Sequence, residues 1–197
     1  MTAPSNWARR FVGIDQSYTG FAMVVIDANG NLVGEHLDSF EAKNYGTGIE
    51  RLLAIYSHVQ ELFHIQEGAM CSVEHVAMEG YSAASKFGRE QAGELGAIVK
   101  LAVYDHFTAA PGGLRYPTIV QPSTLKKFVT GSGAAKKNQM MLAVYKKWGY
   151  ETDDDNLADA FALAQLVLAL DNQMINYEYE KAALAKVKPH TEAIVSP

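Results

Sequence analysis

The chain has 197 residues, 48% hydrophobic and 20% charged, with one cysteine and a formal charge of −5. That length suits one filled core and a single domain over 1–197, with its core at about 10–172 and a C-terminal helix and loose tail over about 173–197. No apolar run nears the roughly 18 residues of a membrane span, the opening MTAPSNWARR lacks a secretion pattern, and lone Cys71 fits a reducing cytoplasm.

Along the chain, FVGID (11–15) and FAMVVID (21–27) read as buried strands, and NLVGEHLDSF follows after Asn29-Gly30. That dipeptide predicts a tight hairpin with positive φ at both central residues, so the chain opens as a three-stranded antiparallel meander. Ile49, Leu52, Leu53, Ile55, Tyr56, Val59, Leu62 and Phe63 keep a helical rhythm. SVEHVAMEGY (72–81) predicts a buried strand ending at Glu79, and a long helix is expected over about 86–108, with Leu95, Ile98, Val99, Ala102 and Val103 inward. A short strand near 116–120, helices over about 122–130 and 135–148, and a last apolar helix from DNLADAFALAQLVLAL complete the order. Strands joined through helical crossovers imply an α/β fold, a mixed five-stranded sheet flanked by helices.

Three acids stand out. Asp15 and Glu79 each end an apolar strand, where ligand sites of open α/β sheets form. A buried carboxylate is costly unless paired or bound to a cation, and two at adjacent strand ends repel. Asp159 lies inside an apolar helix, on one face with Asp155 and Asn156. Asp153 and Asp154 fit the cap of that helix. The all-oxygen donor set suits a hard divalent ion such as Mg²⁺ or Mn²⁺. The six histidines are scattered, without metal-ligand spacing. Between Thr124 and Gly149 lie six lysines (Lys126, Lys127, Lys136, Lys137, Lys146, Lys147) and no acid, a basic segment in an acidic chain. It reads either as a solvated helix face or as a backbone-tracking patch for nucleic acid.

From about Phe11 to Leu170 the chain resembles the RuvC group of Holliday-junction resolvases, within the RNase H-like nuclease superfamily. GIDQSYTGFA, VAMEGY, LKKFVTGSGAAKKNQM and DNLADAFALA carry the likeness in the right order, and the compact size is similar to phage-borne members. The resemblance implies an RNase H-like fold and a structure-selective endodeoxyribonuclease that cuts Holliday junctions and other branched DNA by two-metal hydrolysis. It further implies 5′-phosphate and 3′-hydroxyl products, two Mg²⁺ ions per site (Mn²⁺ substituting) and a homodimer, for which the Leu95–Ile98–Val99–Ala102 stripe is a candidate interface.

Residue by residue, it implies metal ligands at Asp15, Glu79 and Asp159, with Lys137 as a catalytic cation. Lys126, Lys127, Lys136 and Lys137 are implied DNA contacts, with Tyr81, or else Phe87, as the stacking aromatic. Where the family typically has an acid or histidine three residues before the final Asp, this chain has Asn156. Asp155 is the favoured substitute ligand, with Asp154 and Asn156 as alternatives. That departure leaves open a catalytically silent module that binds branched DNA. An actin-like phosphotransferase shares the strand-GID opening, but it needs two duplicated domains and a second phosphate loop.

Overall fold

The computed structural model describes residues 8–66, 71–80, 89–109 and 116–187. Five strands form one sheet in the order β3-β2-β1-β4-β5: β1 (Ala8–Asp15), β2 (Phe21–Asp27), β3 (Leu32–Asp38), β4 (Cys71–Glu79) and β5 (Thr118–Val120). β1, β2 and β3 pair antiparallel, whereas β1, β4 and β5 are parallel. The mixed α/β sheet expected from the strand and helix order is present. The helices are α1 (Ala42–Tyr45), α2 (Ile49–Gln66), α3 (Arg89–Ala109), α4 (Pro122–Thr130), α5 (Lys137–Trp148), α6 (Asp155–Asn172) and α7 (Glu178–Leu184). The four-residue α1 had no sequence signal, since no apolar periodicity develops in so short a segment.

Each sheet face has its own core, as alternation along the strands requires. Phe11, Ala22, Val24, Ile26 and Ala77 pack under α6, α4, α5 and α7. Val12, Ile14, Phe21, Met23 and Met78 pack under α2 and α3. On α3, Leu95, Val99 and Ala102 are buried in that second core and half-buried Ile98 packs against it, so the stripe considered as a dimer interface is internal packing.

α6 presses hardest on the sheet. A Cβ built on Gly13 of β1 would lie 1.9 Å from the Ala160 carbonyl oxygen, so only glycine permits this crossing. The crossing sets the site. Asp15 follows two residues along β1, on the same face as Gly13, and Asp159 immediately precedes Ala160.

The β2–β3 hairpin forms where Asn29-Gly30 predicts it, with a different turn. Among these residues only Gly30 has positive φ (84°), and the loop spans the four residues 28–31. The Asp27 carboxylate accepts from the Asn29 and Asn31 amides at 2.8 and 2.9 Å. This Asx-type closure removes the need for a left-handed Asn29.

Candidate active site

Parallel pairing of β1 and β4 runs to Ile14 opposite Met78, so Asp15 and Glu79 are the next residue on each strand. Asp15 is 7% exposed. Burial pushes its pKa well above the ordinary carboxylate range, and the charges of Glu79, Asp159 and Asp155 push further, against a smaller pull from Lys137. Burial raises Glu79 to about 7, helped by Asp159 and opposed by Lys126, by a hydrogen bond with Asp15 and by Lys137. Burial and Asp155 raise Asp159 to about 6, opposed by Lys126 and Lys137. Three carboxyls from two strands and a helix therefore sit in one electrostatic neighbourhood.

The start of α6 divides its acids between two tasks. Asp154 is the N-cap, its Oδ1 accepting from the backbone N–H groups of Asn156 (2.8 Å) and Leu157 (3.1 Å). Asp155, the next residue, is bound by the Lys137 ammonium, and that contact raises the lysine pKa. Asn156 turns elsewhere: its Nδ2 donates to Asp154 Oδ1 at 3.2 Å, and a Cβ on Gly20 would lie 2.5 Å from the same nitrogen. Its amide braces the loop after β1.

The lysines of the segment do not share one environment. Lys126 on α4 and Lys137 at the start of α5 are the cations that the carboxylates feel. Lys127 is half-buried, and exposed Lys136 is the N-cap of α5, its backbone N–H donating to Gln139 Oε1 at 2.8 Å. Lys147 is structural. Its ammonium pairs with buried Glu180 at 2.5 Å, donates to the Phe128 carbonyl at 3.1 Å and lies over the Phe128 and Trp148 rings, fastening α7 to α4 and α5. Tyr81 and Phe87 lie outside the described residues.

Among the described residues, no three His, Cys, Asp or Glu side chains close into a ready-made metal cage. The donor set nevertheless fits a hard divalent ion. It is all oxygen, and a cation would offset the burial and the mutual repulsion that together hold these carboxyls above their usual pKa.

A family model for crossover junction endodeoxyribonuclease RuvC matches residues 11–166. The chain belongs to the RuvC family. Its enzyme class is therefore crossover junction endodeoxyribonuclease, a class whose members depend on divalent metal.

Solved structures agree in fold. Thermus thermophilus RuvC is 20% identical with a TM-score of 0.63, the match covering 83% of this chain and 96% of that one. The T. thermophilus RuvC in complex with a Holliday junction substrate is also 20% identical, with a TM-score of 0.65 over 91% of this chain and 98% of that one. The yeast mitochondrial Holliday junction resolvase Ydc2 is 14% identical, with a TM-score of 0.53 over 92% of this chain and 85% of that one. A comparison with curated proteins gives no match. Among the described residues of this RuvC-family chain, no helix is long and apolar enough to cross a membrane.

Lys126, a cation of the basic segment, acts on both Glu79 and Asp159. One feature of the site had no clear signal in the sequence. Gln16, beside Asp15, donates its Nε2–H to the Glu79 carbonyl oxygen at 3.0 Å. Its place next to a strand-end acid was the only available hint.

Proposed function

We propose that this chain resolves four-way DNA junctions, and cuts related branched DNA, at a site built from Asp15, Glu79, Asp155 and Asp159. The observation that carries the assignment is the meeting of two strand-end acids with an α6 acid, each held above its ordinary pKa by burial and by its neighbours' charge. Asp15, Glu79 and Asp159 would each hold Mg²⁺ (Mn²⁺ substituting), in a two-ion site. Asp155 is the favoured fourth ligand, since Asp154 is committed to the helix cap and the Asn156 amide donates back to Asp154. Divalent ions bound there supply a water of lowered pKa and stabilise the leaving 3′ oxygen.

The protein's own part is positional and electrostatic. The β1–β2 and β4–β5 ladders, which reach Asp15 and Glu79, and the close α6 crossing hold the carboxylates, which lowers the reorganisation needed when phosphate arrives. Lys137 and Lys126 place positive charge where the phosphorane develops negative charge. Lys127 and Lys136 add salt-sensitive, sequence-independent contacts to the DNA backbone. Tyr81, with Phe87 as second choice, supplies stacking against junction bases.

Two symmetric cuts require two sites, so the working form is a homodimer. We assign 1–197 to one nuclease domain, with α7 bound by the Lys147–Glu180 pair, working in a reducing cytoplasm as lone Cys71 suggests.

The deciding experiment is cleavage of a synthetic four-way junction, with fork, flap and linear duplex controls, by wild type and Asp15→Asn in Mg²⁺. Wild type is expected to cut the junction into symmetric nicked products, while the variant still binds and loses at least about a thousandfold in rate. Equal cleavage by both proteins would refute the carboxylate site. Binding without cleavage by both would favour a silent junction-binding module.

A further inference from the structure

We propose that Gln16 is a positioning residue that sets the separation of the Asp15 and Glu79 carboxylates, and so the cation affinity of the site. This rests on the carboxylate reading above.

Pairing between β1 and β4 stops at Ile14 opposite Met78. Beyond that point the two strands lean on different neighbours. Asp15 pairs with Ala22 of β2, and Glu79 pairs with Val120 of β5. The two acid-bearing residues therefore sit on strand tips that no ladder bond joins. The Gln16 side chain crosses the gap, its Nε2–H donating to the Glu79 main-chain oxygen at 3.0 Å. One residue after the first acid is thus tied to the backbone of the second.

The other end of the amide shows that this tie has a cost. A backbone carbonyl only accepts, so the nitrogen must face Glu79. Gln16 Oε1 is then buried with no hydrogen-bond partner, the only such side-chain atom among the described residues. An unsatisfied buried acceptor is destabilising, and native structures keep few of them. A residue present only to fill this space would serve better as Met or Leu. Glutamine is explained by its one donated bond, which steadies a candidate ligand from behind. Such outer contacts orient metal ligands and tune affinity.

The test is calorimetric titration of the metal-free protein with Mn²⁺, on wild type, Gln16→Met and Asp15→Asn, with melting curves in EDTA and steady-state junction cleavage. Gln16→Met keeps the length and removes both the donor and the orphaned acceptor. It is expected to bind Mn²⁺ about tenfold more weakly, with kcat reduced and KM for the junction unchanged. Its melting temperature in EDTA should stay within about 2 °C of wild type, because one lost hydrogen bond is offset by one relieved acceptor. Mn²⁺ affinity within twofold of wild type overturns the proposal, and a lowered melting point with unchanged affinity marks Gln16 as structural only. Should Gln16→Met fail to fold, Gln16→Ala is read by the same titration and the same thresholds. If wild type and Asp15→Asn bind Mn²⁺ alike, or neither binds, the carboxylate reading fails and this inference falls with it.

Discussion

Glu79→Gln should stabilise the metal-free protein while abolishing cleavage, and the stabilisation should depend on pH. Glu79 ordinarily ionises at 4.5 and here does so at about 7, chiefly through burial and the Asp159 charge. Below about pH 4.5 both folded and unfolded chains hold the proton, so the site carries no penalty. Between 4.5 and 7 the unfolded chain has released its proton and the folded chain has not, so stability falls as pH rises. Above about 7 the penalty is complete and constant. At 1.36 kcal/mol per pH unit the displacement amounts to about 3 kcal/mol. Sharing of charge with Asp15 and Asp159, and residual solvent, reduce this to about 1–3 kcal/mol.

Glutamine keeps the shape and removes the charge. At pH 8.5 in EDTA, Glu79→Gln should therefore melt roughly 3–8 °C above wild type, with the gap closing towards pH 4.5. The assay is thermal unfolding of both proteins at pH 4.5, 6, 7.5 and 8.5, repeated with saturating Mg²⁺. The ion should raise the wild-type melting point and leave the variant nearly unmoved, erasing the difference. A gap that is constant with pH, or a variant less stable at pH 8.5, would refute the reasoning, because Glu79 would then not be forced to ionise in a crowded acidic site.

Two further outcomes follow from the packing. Gly13→Ala would place a methyl carbon 1.9 Å from the Ala160 oxygen and 2.6 Å from the Ala164 nitrogen, against backbone that cannot rotate away. A loss of about 3 kcal/mol or more is expected, read as a fall in chemical-denaturation stability, and a variant of wild-type stability would sink the close-crossing account. Lys147→Met removes the partner of buried Glu180 and should cost about 2–4 kcal/mol in urea unfolding, with junction cleavage retained below the transition. The opposite result, full stability with lost junction affinity, would return Lys147 to the DNA-binding set.

The order of strands and helices was legible in the chain because periodicity and apolar runs are local properties. FVGID, FAMVVID and VAMEG become β1, β2 and the end of β4, and DNLADAFALAQLVLAL becomes α6 with its cap one residue upstream. The three acids were legible for the same reason: each interrupts an apolar pattern that has no local use for charge. The turn at Asn29-Gly30 was located correctly but given the wrong conformation, because the carboxylate of Asp27 closes it in place of a second left-handed residue.

Neighbours distant in sequence decided the rest. The six lysines of one segment look alike in sequence, yet Lys126 and Lys137 face acids while Lys147 is fixed under α7 by a residue 33 positions away. The adjacent acids Asp154 and Asp155 differ only in that one caps α6 and the other meets α5. Gln16 gains its importance where the β1–β4 ladder ends. Sequence by itself determined which side chains could carry the chemistry, since residue type fixes charge and donor capacity. Only the tertiary structure decided which of them act together, because electrostatic coupling and hydrogen bonding depend on separation and burial in space.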